Sequence, residues 1–214
     1  MYSTLHGGVE GHARLQFPMQ ADVVQQTSGG AVQLSASLPD LILLKGAPGV
    51  GKSTTAKLLA QHLPSGVRVE VDTLRQMVVS VDWTNQAEHR SLLALSAQLA
   101  AGFLRTGFAP VILVDTFSGD KIDGFLDAFR SESPLSRVLV AVLHASEGVL
   151  RGRVRNRDAD GFSNIDIALR INQEVVRDVR PFEMLLDSSD LAPADVAATI
   201  LTLARALPVE TSRP

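Results

Sequence analysis

Gly46, Gly51, Lys52 and Ser53 stand in the spacing G-x-x-x-x-G-K-S within KGAPGVGKSTTAKLL, residues 45–59. Each residue type has a chemical reason for its place. Glycines let a backbone take positive φ and curl, so that successive N–H groups point inward. The run Gly46, Ala47, Pro48, Gly49, Val50, Gly51, Lys52, Ser53 and Thr54, leading into a helix N-terminus, then forms an anion site suited to phosphates. The Lys52 ammonium reaches the outer phosphates of a nucleotide, and the Ser53 hydroxyl is the hard oxygen that Mg²⁺ takes as a ligand. A chance match is on the order of one in a hundred for a chain of average composition. Here the motif also lies between an apolar run and a helical pattern, the context it requires. A bound nucleotide is therefore expected. What receives its phosphate must be read elsewhere.

Three further stretches carry chemistry. VRVEVDTLRQM, residues 67–77, puts Asp72 at the end of a second apolar run. An alcohol attacking phosphorus must lose a proton, and a carboxylate within hydrogen-bond reach orients and accepts it. Asp72 is a candidate for that base; the alternative is an N-cap for a helix beginning near Thr73. PVILVDT ends a third run in Asp115, a candidate Mg²⁺ carboxylate or substrate ligand. Its alternative is structural, tying Ser53 or a loop amide. In LRGRVRNRDADGF, residues 150–162, Arg153 and Arg157 stand at i, i+4, as do Arg151 and Arg155, around Leu150 and Val154. Planar guanidinium groups suit the charge spread over a transferring phosphoryl group. Arg153 and Arg157 are thus candidate catalytic cations on a lid near residues 151–164; the alternative is a solvated face paired with Asp158 and Asp160. A turn through Ser188, Ser189 and Asp190 either contacts a base or caps the last helix.

These residues need a scaffold that gathers them. Apolar runs at Leu41–Leu44, Val67–Val71, Pro110–Val114, Val138–Leu143 and Glu183–Leu186 read as buried strands. Helical patterns lie between them, with Ala56, Leu59, Ala60 and Leu63 on one face, then Leu92, Leu95, Leu99 and Phe103. Val196, Ile200, Leu203 and Leu207 follow Pro193 in the last. Alternating strands and helices imply an α/β, three-layer sandwich around a five-stranded parallel sheet. In such a sheet ligands bind beyond the strand C-termini. Residues 1–38 are rich in Gln, Ser, Gly and Ala and read as a flexible extension, leaving 39–209 as the catalytic domain. The chain has 214 residues, no cysteine and a net charge of −3. A disulfide scaffold and a cysteine zinc site are excluded, and a broad nucleic-acid surface is disfavoured. No run approaches the roughly 18 apolar residues of a membrane span, and no secretory pattern opens the chain. A cytoplasmic protein is expected.

Among phosphate-loop classes, a GTPase would carry Asn-Lys-x-Asp, and no Asn-Lys pair occurs; a motor-type ATPase would end a strand in Asp-Glu, where Asp115 is followed by Thr116. The segments GAPGVGKST, VDTLR, VILVDT, LRGRVRNRD and IDIALR together resemble a P-loop kinase group. That group includes phage-type polynucleotide 5′-kinase, chloramphenicol phosphotransferase, gluconate kinase and zeta toxins. The resemblance runs from about Leu41 to Leu207 and departs at Phe117, where the phage-type motif has Asn. It implies an adenylate-kinase-like P-loop NTPase fold, with ATP and Mg²⁺ as cofactors. It further implies Asp72 as base, Arg75 as a substrate ligand, and Arg153 and Arg157 as lid arginines. The expected activity is transfer of the γ-phosphate to a hydroxyl of a small molecule. A polynucleotide or nucleotide 5′-kinase and a non-catalytic nucleotide switch are the alternatives.

Overall fold

Leu41–Gly46 forms the central strand of one parallel sheet in the computed structural model of the chain, which describes residues 38–156 and 162–207. All of these belong to the compact unit Ser35–Pro214. The expectations for residues 1–37, for Arg157 and for the tip of the lid lie outside the described residues. The strands are β1 (Leu41–Gly46), β2 (Val67–Glu70), β3 (Val111–Val114), β4 (Val138–His144) and β5 (Glu183–Asp187), in spatial order β2-β3-β1-β4-β5. The helices are α1 (Lys52–Gln61), α2 (Val71–Gln76), α3 (Gln86–Arg105), α4 (Lys121–Glu132), α5 (Glu147–Arg155), α6 (Ile165–Arg177) and α7 (Pro193–Ala206). The five-stranded α/β sandwich expected from the sequence is the fold observed.

The two-residue period of a strand builds a core on each side of the sheet. Ile42, Leu44, Ile112, Val114, Leu139, Ala141 and Leu143 face α1, α5 and α7. Leu41, Leu43, Val111, Leu113, Val140 and Val142 face α2, α3 and α4. β1 is buried along its whole length, because it pairs with β3 on one edge and β4 on the other and is covered on both faces. With every strand parallel, the loops after β1, β2, β3, β4 and β5 gather at one edge.

Two expectations about elements need correction. The strand expected over Val67–Val71 ends at Glu70, and Val71 opens α2. An apolar residue shared by a strand end and a short buried helix looks the same to either pattern. Asp72 therefore sits in the first turn of α2 rather than ending a strand, and no side chain caps that helix. The buried stripe of α3 is also rotated from the expected leucines. His89, Leu93, Ser96, Ala97, Ala100 and Ala101 are inward, and Leu95 is exposed. Small side chains let this helix lie close to the sheet, so close packing outweighs side-chain size in choosing its face.

Lys45 and Glu183 form a buried ion pair. The Lys45 ammonium donates to both carboxylate oxygens at 2.9 and 3.0 Å, and Glu183 also accepts the Arg180 N–H at 3.0 Å. The pair links the end of β1 to the start of β5 across the intervening β4. Removing one partner strands a charge in the interior. Glu183→Ala is expected to lower the unfolding free energy by about 3–5 kcal/mol, read by urea denaturation; a loss below about 1 kcal/mol would show that Lys45 finds water or another acceptor.

Candidate active site

The loop between β1 and α1 takes its shape from backbone positions only glycine can hold. Gly46 has φ 149°, and a Cβ there would run into the carbonyl oxygen of Leu143 on β4. Gly49 has φ 91°, and its Cβ would come within 2.8 Å of Val154 and 2.9 Å of Leu150 on α5. α5 thus lies directly on the loop. The N-terminus of α1 has no side-chain cap and no acidic residue in its first turn, which leaves its N–H groups and dipole free to meet an anion. The Lys52 ammonium spans the loop, donating to the carbonyls of Gly46 at 2.7 Å and Ala47 at 2.9 Å. The Ser53 hydroxyl donates to Glu70 at the end of β2, at 2.9 Å.

A cleft of about 1110 Å³ opens over this loop and extends across the strand ends. Asp72, Arg75, Trp83, His89, Asp115 and Lys121 line one end; Arg153, Ser188, Leu191, Pro193 and Val196 line the other. At the first end Asp72 makes no hydrogen bond or ion pair among the described residues. Surrounding protein pushes its carboxyl above the ordinary carboxylate value, and the charge of Asp115 adds to the shift against the opposing pull of Lys52 and Arg75. Arg75 is buried, with its guanidinium 4.4 Å above the Trp83 ring. It donates to the Asp82 carbonyl at 3.3 Å, while its Nε has no hydrogen-bond partner among the described residues. Asp82 itself is held below its usual pKa by the hydroxyl and amide of Thr84, and the Asn85 side chain caps α3. The loop that presents Trp83 is therefore pinned at both ends of its turn.

Asp115 is buried and has both oxygens engaged. Oδ1 accepts from His89 Nε2 at 3.1 Å and Oδ2 from the Phe117 N–H at 2.8 Å. The structural alternative of a tied loop amide describes this geometry. The tie to Ser53 is absent, since Ser53 is bonded to Glu70. At the other end the Arg153 guanidinium donates to the Ser188 carbonyl at 2.6 Å, the Ser188 hydroxyl at 3.0 Å and the Val50 carbonyl at 3.5 Å. Ser188 Oγ also lies 3.1 Å from the Val50 carbonyl and 2.9 Å from that of His144. Arg153 is thus a brace between α5, the loop after β5 and the phosphate loop, rather than a free arginine over the transferring group. Arg151 turns outward to Glu147 at i, i+4. The turn after β5 is closed by Asp187, which accepts from the amide and hydroxyl of Ser189.

The structure brings Gly46, Lys52, Ser53, Asp72, Arg75, Asp115 and Arg153 to one strand edge. Glu70, Lys121 and Arg170 also line the cleft and are not singled out by sequence. Glu70 is hidden in an alternating strand pattern, and Arg170 in an ordinary amphipathic helix. Lys121 does leave a trace, being a cation at the first position of a helix, where the dipole disfavours it.

Residues 41–181 match the model of the AAA_33 family, described as an AAA domain, and the chain belongs to that family. The solved structures similar to it are P-loop kinase-like folds. The tunicamycin resistance protein of Deinococcus radiodurans is 22% identical with a TM-score of 0.61, over 77% of this chain and 95% of that one. A gluconokinase from Sinorhizobium meliloti is 20% identical with a TM-score of 0.56, over 79% and 96%. Shikimate kinase from Acinetobacter baumannii, in complex with shikimate, is 19% identical with a TM-score of 0.51, over 82% and 97%. No curated protein matches the sequence. Among the described residues no helix is long and apolar enough to cross a membrane.

Removing the Arg153 brace leaves the Ser188 and Val50 carbonyls without their charged donor. Arg153→Met is expected to lower the unfolding free energy by about 1–3 kcal/mol and to weaken ADP and ATP binding to the same degree, measured by calorimetry. A variant with normal stability and normal ADP affinity would contradict the brace.

Proposed function

We propose that the chain is an ATP-dependent phosphotransferase that moves the γ-phosphate to a hydroxyl group of a small-molecule acceptor. The observation that carries this reading is Asp72. It is a carboxylate without a partner of its own among the described residues, on the same cleft as the phosphate loop, with its pKa raised by the surrounding protein. A raised pKa makes a carboxylate a stronger base toward an acceptor hydroxyl. The cleft exceeds the roughly 300–1,000 Å³ of a single-ligand pocket, which suits a nucleotide and an acceptor side by side.

In this reading the phosphate loop and Lys52 hold the β- and γ-phosphates, and the base stacks at the end lined by Arg153, Leu191, Pro193 and Val196. The acceptor O–H donates to Asp72. As the acceptor oxygen bonds to phosphorus, the bond from phosphorus to the bridging oxygen of ADP breaks, and Asp72 takes the proton. Arg170, exposed on α6 and lining the cleft, joins Lys52 as a cation for the equatorial oxygens. The donors that fit Mg²⁺ are the Ser53 hydroxyl and the Glu70 carboxylate it meets, with Asp115, whose oxygens are already engaged, reaching the ion through water. Mg²⁺ in such a site would be held jointly by protein, phosphate and water. That ion would supply charge neutralisation between the β- and γ-phosphates.

The direct test is transfer of labelled γ-phosphate to a panel of sugars, antibiotics, nucleosides and 5′-hydroxyl oligonucleotides. Asp72→Asn is expected to cut kcat by about 10²–10⁴-fold with ATP affinity nearly unchanged; transfer at the wild-type rate would remove the base assignment. ATP binding with no transfer to any acceptor would favour a nucleotide-dependent switch. The pH dependence has a fixed sign. The ionised carboxylate is the active form and its pKa is raised, so kcat/KM falls as pH drops through a value above the ordinary aspartate range. That acid limb is expected to vanish in Asp72→Asn; an unchanged limb would assign it to another group.

A further inference from the structure

Lys121 stands where three physical effects oppose a cation. It is 8% exposed, and it is the first residue of α4, at the positive end of the helix dipole. It makes no ion pair among the described residues. Its one hydrogen bond is to the Ser118 hydroxyl, at 3.1 Å. The carboxylates closest in effect are already committed, Asp115 to His89 and the Phe117 N–H, Asp120 to Arg90 at 2.6 Å. Burial pulls the Lys121 ammonium below its ordinary pKa against the opposing charge of Asp115, and the charges of Arg90 and Arg75 add to the lowering. Arg75 is in the same condition. It is 5% exposed, has no ion pair among the described residues, and keeps an Nε without a partner. Asp82, whose carbonyl it touches, has its carboxylate occupied by Thr84. Both cations line the end of the cleft that holds Asp72.

Asp72 and Asp115 face the same cavity and act on these cations through space, but neither forms an ion pair with them among the described residues, and an anion placed between Arg75 and Lys121 would offset the cost of burying both. We infer that the acceptor is itself anionic, an alcohol bearing a carboxylate or phosphate group that Arg75 and Lys121 hold while its hydroxyl faces Asp72. This rests on the kinase reading and narrows it to a substrate class. It also assigns Lys121 as a substrate-binding residue. A fixed anion at one end of a small acceptor orients the hydroxyl at the other, which a neutral polyol cannot achieve with the same contacts.

The test is isothermal titration calorimetry on the full chain, with Mg²⁺ and the non-hydrolysable β,γ-imido analogue of ATP filling the phosphate loop. Glycolate, inorganic phosphate and ethylene glycol are titrated in turn. Glycolate or phosphate is expected to bind and the neutral diol not. The stronger of the two anions tells a carboxylate acceptor from a phosphate ester. Lys121→Met is expected to weaken that anion by about 10- to 100-fold, the loss of one charge-assisted hydrogen bond, and Lys121→Arg to restore most of it. Because the substitution removes an opposed charge, the melting temperature of Lys121→Met is expected to hold or rise. Anion binding equal in wild type and Lys121→Met, no binding of either anion by wild type, or a melting temperature well below wild type would each overturn the proposal. Failure of the kinase reading is separate. It would appear as no transfer of the γ-phosphate from ATP to any acceptor, while the dependence of anion binding on Lys121 is read by calorimetry with the phosphate loop filled and needs no transfer.

Discussion

The contact of the Gly46 backbone with the Leu143 carbonyl is the constraint on which the site depends. β1 and β4 run in register up to the pair of Gly46 with Leu143, and any side chain at residue 46 would be forced against β4. The chain must turn there, and it turns beneath α5, where Gly49 leaves room for Leu150 and Val154. Ser188 then reaches the Val50 carbonyl from the far strand. A central strand, a helix and a distant turn thus fix the loop from three sides. Its shape is a property of the folded core and does not wait for a ligand, the condition under which backbone dipoles stabilise an anion at little reorganisation cost.

Asp115 shows how the same edge is organised beside Asp72. Its carboxylate holds the amide of Phe117, a non-glycine residue at φ 47°. Such a backbone costs on the order of 1–3 kcal/mol and persists only where its surroundings enforce it. Phe117 is fully buried against Phe125, rings 5.3 Å apart and edge to face, so packing and the hydrogen bond act together. The direction of the loop that leads to Ser118 and Lys121 follows from that turn, and His89 completes it from α3. Loss of activity on changing Asp115 would therefore report a displaced loop as well as any lost metal or substrate contact.

The parts of the fold that sequence makes legible are those governed by local pattern. The phosphate loop is dictated by its own glycines, and the buried strands by unbroken apolar runs such as Leu41–Leu44. Asp72 is legible because a carboxylate just beyond a strand faces the ligand edge of a parallel sheet, even though the residue begins a helix instead of ending the strand. What local pattern does not carry is pairing at long range. Glu70 meets Ser53 across 17 positions, His89 meets Asp115 across 26, and Lys45 meets Glu183 across 138. Arg153 has the spacing of a lid arginine, yet its direction is decided by two carbonyls on other segments. The inward face of α3 was chosen by small residues, whose value lies in the distance they permit and not in their hydrophobicity.

The sheet separates two cores that carry different parts of the cleft. The helices of one core carry the phosphate loop, the Arg153 brace and the turn into α7; those of the other carry Asp72, Arg75, His89 and Lys121. A substitution that reshapes the wall around Asp72 and Lys121 is felt by α2, α3 and α4, while the phosphate loop packs against the core on the other face of the sheet. The exception is α6, which sends Ala168 to one core and Val175 to the other. Changes in that helix are shared by both cores, so strain set up in one layer passes through it to the other.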